Sequence, residues 1–141
     1  MQNQKKLTVS DLSFTYANSD APAVSGASFE ISAGELALVC GATGSGKSTL
    51  LNALCPAVRP GGTLKGRAEW DGVPTDSLAP LTIGFVRQDP ASSLPADTVE
   101  RCLALAPENA RFPRSLIRRR VAETAAAFGL SSKLFESVDA L

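Results

Sequence analysis

"LALVCGATGSGKSTLLNAL", residues 36–54, decides how the rest of the chain is read. Within it Gly41, Gly46, Lys47 and Ser48 satisfy the spacing G-x-x-x-x-G-K-[ST], and Gly44 adds a further glycine. Each residue type has a physical reason. Glycines let the backbone turn so that successive N–H groups converge on phosphate oxygens. A helix opening near Lys47 adds the positive end of its dipole. The Lys47 ammonium suits the β and γ phosphates, and the Ser48 hydroxyl suits Mg²⁺. The residues expected to hold a nucleotide are therefore Gly41, Ala42, Thr43, Gly44, Ser45, Gly46, Lys47, Ser48 and Thr49.

The flanks give this loop a strand in front and a helix behind. "LALVC" (36–40) is a continuous apolar run, which suits a strand buried on both faces of a parallel sheet. "KSTLLNALC" places Leu50, Leu51 and Leu54 on one side of a helix that Pro56 ends. Upstream, "KLTVSDLSF" (6–14) is β-prone, and "AVSGASFEI" (23–31) offers Val24, Ala27, Phe29 and Ile31 as an inner face. "SAGE" (32–35) is a turn.

Downstream, "RPGGTLKG" (59–66) is expected as a loop, and "RAEWDG" (67–72) as a short strand entering an Asp71-Gly72 turn, with Trp70 partly buried. "LTIGFVRQ" (81–88) is a second apolar strand candidate. Thr98 is placed to cap a helix over 99–106. "RSLIRRRVAETAAAF" (114–128) predicts a helix with Leu116, Ile117, Val121, Ala125 and Phe128 on a stripe and Gly129 as its stop. The expected class is α/β, a P-loop NTPase. Residues 1–90 form a β-rich nucleotide-binding core and 91–141 a helical subdomain.

Composition excludes several classes. The 141 residues carry 14 basic and 14 acidic side chains and are 44% apolar, a globular profile without the basic excess of a nucleic-acid binder. No stretch approaches the roughly 20 apolar residues of a membrane helix. The start "MQNQKKLTVSDLSF" has no apolar block behind its lysines, so no secretory signal is expected. Cys40, Cys55 and Cys102 show no ligand spacing, which points to a reduced, cytosolic chain, with Cys40 packed as a small apolar residue. Arg111, Arg114, Arg118, Arg119 and Arg120 read as a solvated helix face, or else as a docking surface for a membrane subunit or anionic lipid.

The base is the next question. The guanine-reading Asn-Lys-x-Asp is absent, and Tyr16 lies 25 residues before Gly41, either stacking on a flat purine or packing at a strand end. The order "LSFTY", "VSGASFEISAGELALVCGATGSGKSTLLNAL", "GRAEWDG", "IGFVRQDP" resembles the ATP-binding subunits of ABC transporters, with an aromatic A-loop, Walker A and glutamine loop in that order. The resemblance implies that Tyr16 stacks on adenine and that Gln88 helps hold Mg²⁺ and senses the γ phosphate, near where a membrane partner docks.

The stretch after Gln88 is similar to the energy-coupling-factor and cobalt/nickel importer branch. Arg87 stands where that branch more often has an aromatic, and "ASSLPAD" replaces an acidic-glutamine stretch, which leaves the cargo open. The resemblance implies ATP and Mg²⁺ as cofactors. As partners it implies a second ATPase subunit, identical or not, and integral membrane transport subunits, with no nucleic acid. It places the chain in the cytoplasm, peripheral on the inner face of the membrane.

The family's remaining machinery is not found in these residues. No apolar run ends in Asp-Glu, there is no histidine, and the signature Ser-Gly-Gly-Gln is absent. The expectation is the amino-terminal half of an ATPase subunit, with Lys47 and Gln88 as its catalytic groups and Ser48 and Gln88 as its metal ligands, binding ATP without sustained turnover. The alternative is a non-catalytic nucleotide-binding module or a non-functional fragment. An ABC-type ATPase of DNA repair is disfavoured by the absence of long heptads after Gln88.

Overall fold

The structure is a computed structural model that describes residues 5–79, 81–89, 94 and 96–141. It divides into two compact units, Met1–Ala79 and Pro80–Leu141. At the level of class the α/β expectation holds, with an amino-terminal sheet and a carboxy-terminal helical region.

The first unit contains β1 (Lys6–Tyr16), β2 (Val24–Ser32), α1 (Lys47–Leu54), β3 (Gly62–Trp70) and β4 (Val73–Pro74). The strands form one sheet in the order β2-β1-β3-β4, and every pairing is antiparallel. The buried residues of β1 are Val9, Leu12 and Phe14, an odd step in a strand whose side chains alternate. A bulge explains it. Asp11 has φ 48°, and the register shifts between Val9 and Leu12 against β2 and between Ser10 and Ser13 against β3. The one extra residue returns Leu12 and Phe14 to the face already used by Leu7 and Val9. The Asp11 N–H, lost to the ladder, donates instead to Ser28 Oγ at 2.9 Å.

A second irregularity lies between Leu12 and Phe14, where β2 carries the extra residue. It sets Val24 and Ala27, three apart in sequence, on the same inner face as Phe29. The core is Val9, Leu12, Phe14 and Ala68 of the sheet with Ala53 of α1, and Leu50 and Leu54 flank it. Trp70 is half-buried as expected, and Asp71 and Gly72, with φ 52° and 77°, turn β3 into β4.

Four local expectations fail in this unit. Residues 59–66 are not wholly a loop, because β3 begins at Gly62, opposite Tyr16. The glycine marks a close approach of two backbones: a Cβ there would collide with the Thr15 carbonyl and the Phe14 ring. Leu51 is exposed, since the helix face that meets the sheet carries Thr49 and Ala53 along with Leu50 and Leu54. Residues 36–40 form no strand, and Leu36 and Leu38 are 99% and 85% exposed. Cys40 is exposed with them. A run of this kind becomes a buried strand only when neighbouring strands take its N–H and C=O groups, and no described strand pairs with it.

The second unit contains α2 (Val99–Asn109) and α3 (Arg114–Ala127), followed by 3₁₀ turns at Ser131–Lys133 and Val138–Ala140. Thr98 stands at the N-cap of α2, but its side chain makes no capping bond. The end is satisfied from elsewhere: the Val99 and Glu100 N–H groups donate to the Glu136 and Leu134 carbonyls at 3.2 and 2.8 Å. Val121 and Ala125 of α3 are buried and Leu116 and Ile117 half-buried, whereas Phe128 is exposed. Phe128 is the C-cap, with φ −102° and ψ 9°, and has left the helical stripe. Gly129 (φ 68°) closes the helix, with Leu130 N–H on the Ala125 carbonyl at 2.7 Å. All five arginines of the basic run are exposed. Residues 81–88 form no strand either, and Val86 is 83% exposed, for the reason that applies to 36–40.

Leu12 is fully buried where the bulge sets it, so Leu12→Ala is expected to destabilise the first unit by about 2–5 kcal/mol. Urea unfolding followed by far-ultraviolet circular dichroism measures this, and a loss below about 1 kcal/mol would contradict the bulged register.

Candidate functional site

The loop between the exposed segment 36–40 and α1 is built on main-chain geometry. Gly41, Gly44 and Gly46 have φ 157°, 83° and 89°. Gly46 is the N-cap of α1 and no side chain caps it, which leaves the first turn's amides for a ligand. Its lack of a side chain matters for packing as well, because a Cβ at Gly46 would collide with the Ala23 carbonyl. The loop is thereby drawn against the start of β2. Inside it, Ser45 N–H donates to the Ala42 carbonyl at 3.2 Å, and Leu50 N–H to the Gly46 carbonyl at 2.8 Å.

Lys47 leads back across the loop. Its Nζ donates to the Gly41 and Ala42 carbonyls at 2.9 and 2.7 Å, with Ser45 Oγ at 3.4 Å. A cation held by neutral carbonyls gains more from an anion of the same size. Ala42, Thr43, Gly44, Ser45 and Ser48 are exposed, so the cradle and the Ser48 hydroxyl are open to solvent.

Tyr16, predicted from the far end of β1, belongs to the same assembly. Its hydroxyl is 2.8 Å from Oγ1 of Thr49, a buried residue of α1. Its ring stands edge-on to Phe14, with centroids 5.2 Å apart and planes at 89°. One part of the ring side chain remains open, at 37% exposure. The structure thus brings together Tyr16, the loop, Lys47, Ser48 and Thr49. Gln88 belongs to the second unit, in a stretch without helix or strand, and is exposed.

Two supporting residues escaped the reading of the sequence. Arg59 Nε donates to the Ala53 carbonyl at 3.0 Å, at the carboxy-terminal end of α1. Its guanidinium also grips Asp76 through two bonds of 3.1 and 2.6 Å. The hydrogen bonds from Arg59, helped by its charge, hold the Asp76 carboxyl below the usual carboxylate range, against a smaller opposing effect of burial. A cation just past a helix end is a recognisable signal. Its acidic partner, 17 residues further on, is not.

The donor set fits a polyphosphate with its divalent cation: backbone amides at an uncapped helix start, one ammonium, and one open hydroxyl. The family model described as "ABC transporter" matches residues 24–139, and the chain belongs to that family. It is 42% identical, over 86% of its length, to a putative ABC transporter ATP-binding protein of Streptomyces coelicolor, and 36% identical, over 94%, to one of Bacillus cereus. It is 37% identical, over 77% of its length, to an energy-coupling factor transporter ATP-binding protein of Symbiobacterium thermophilum, covering 39% of that protein.

Among solved structures it is similar to cbiO1 from Clostridium perfringens, described as part of the ABC transporter complex cbiONQ. That match has a TM-score of 0.77 and 26% identity, and it covers 99% of this chain and 56% of the other. Within the ABC-transporter family the chain is thus related to the energy-coupling-factor and cbiO group of ATP-binding subunits. It spans 23% and 25% of the lengths of the Streptomyces and Bacillus relatives.

Because Asp76 has a lowered pKa when folded, its pairing contributes stability above the unfolded carboxylate value of about 3.9 and loses it as pH falls through the folded value. Thermal melts between pH 7 and pH 3 are expected to show a steeper acid loss in the unaltered chain than in Asp76→Asn. Parallel acid profiles would contradict the clamp on α1.

Proposed function

We propose that this chain binds MgATP through residues 41–49 and Tyr16, as part of the ATP-binding subunit of an energy-coupling-factor-like importer. The observation that carries the reading is the Lys47 ammonium lying across an open glycine loop, 2.7 Å from the Ala42 carbonyl. In this reading Lys47 exchanges its carbonyl partners for β and γ phosphate oxygens. The amides of Gly44, Ser45, Gly46, Lys47 and Ser48 take the remaining phosphate oxygens. Ser48 offers its hydroxyl to Mg²⁺, whose charge offsets that of the triphosphate. Tyr16 takes the adenine on its open face. For Gln88 the assignment to Mg²⁺ and the γ phosphate rests on family resemblance alone.

The partners proposed are a second ATPase subunit and integral membrane transport subunits, on the cytoplasmic face of the membrane. Support comes from the relatives, one named as an energy-coupling factor transporter ATP-binding protein and one described as part of an ABC transporter complex. Taken by themselves, the 141 residues are proposed to bind the nucleotide without sustained turnover. Attack by water needs a positioned base and a metal held from two sides. These residues contain no histidine and no apolar run ending in Asp-Glu.

Titration calorimetry with MgATP is expected to give binding by the unaltered chain and a loss of about 10- to 100-fold in Lys47→Ala, the range for one charge-assisted contact. Equal affinities would contradict the site. A colorimetric phosphate assay on the same chain is expected to find no release dependent on Lys47, and sustained Lys47-dependent release would contradict binding without turnover.

A further inference from the structure

The hydrogen bond between Tyr16 and Thr49 joins two parts of the site that are 33 residues apart. A stacking aromatic adds to affinity only as far as it stands in place beforehand, since ordering a free side chain on binding costs part of the contact. Tyr16 is the last residue of β1 and half open, where a ring would ordinarily swing. Three restraints prevent this: the pairing of Tyr16 with Gly62, the edge-on contact with fully buried Phe14, and the hydroxyl on Thr49. The third differs from the others. Thr49 lies in the first turn of α1, two residues after Lys47, so it refers the ring to the same turn that carries the phosphate-binding groups.

We propose that Thr49 is a positioning residue. Its hydroxyl holds the Tyr16 phenol and so sets the gap between the base platform and the phosphate cradle, making preference for a purine nucleotide over bare triphosphate depend on this bond. The inference rests on the nucleotide reading above. Thr49 is buried and no buried side-chain polar atom among the described residues lacks a partner. Removing the phenol hydroxyl therefore releases one restraint on the ring and orphans the threonine together.

The test compares calorimetric affinities for MgATP and for magnesium tripolyphosphate, which has no base. Tyr16→Phe keeps the ring and is expected to lower the ATP-to-tripolyphosphate affinity ratio about three- to tenfold, the range for one neutral hydrogen bond. Thr49→Val is expected to lower the ratio by the same factor, the double variant no further, and Thr49→Ser to restore it. Tyr16 is the one tyrosine of the chain, so the tyrosine doublet in the Raman spectrum is expected to change in ligand-free Thr49→Val and not in Thr49→Ser. An unaltered ratio in Tyr16→Phe, additive losses in the double variant, or an unchanged doublet would overturn the role of Thr49 and leave the nucleotide site standing. No ATP binding by the unaltered chain would overturn the nucleotide reading and this inference with it.

Discussion

The packing of α1 on the bulged sheet is the constraint from which the rest of the first unit follows. Val9, Leu12, Phe14 and Ala68 meet Ala53, with Leu50 and Leu54 beside it. Each large apolar side chain taken from water is worth about 1.5–3 kcal/mol, so a few such contacts hold a helix of eight residues that would not persist alone. The contact exists only because one extra residue at Asp11 brings Leu12 and Phe14 to the face of Leu7 and Val9. Without that shift the second half of β1 would turn its apolar side chains away from the helix.

Fixing α1 fixes both ends of the site. At its start, the absent side chain of Gly46 lets the loop lie against Ala23, and no side chain caps the first turn. At its end, Arg59 holds the Ala53 carbonyl and is held in turn by Asp76. Along its side, Thr49 reaches Tyr16. The glycine loop, Lys47 and Tyr16 are thus positioned by one short helix rather than by the flexibility of a loop. The Lys47 ammonium completes the arrangement by occupying the cradle with carbonyls that an anion can displace.

What could be read in advance was the local chemistry. The spacing of Gly41, Gly46, Lys47 and Ser48 carries its own geometry, and the helix behind it followed from the spacing of Leu50, Leu51 and Leu54, although Leu51 is exposed. Tyr16 was a candidate for stacking from its place before the loop, and family resemblance was needed to prefer that to packing at a strand end. Residues 36–40 and 81–88 were misread for a common reason. Apolar content marks a buried strand only if other strands supply hydrogen bonds, and that information lies outside the segment. The early start of β3 was hidden by glycines that serve a close approach, and the Arg59–Asp76 clamp by its separation in sequence.

The central claim is that the main chain of residues 41–48, together with the Lys47 ammonium, is shaped for a triphosphate. Amide nuclear magnetic resonance of the isotope-labelled chain during titration with MgATP tests it most directly. The account predicts the largest shifts at the Gly44, Ser45, Gly46, Lys47 and Ser48 amides, saturating together with a shift of the Lys47 side-chain signal. Saturating shifts that leave those amides unmoved and cluster on other residues would contradict it.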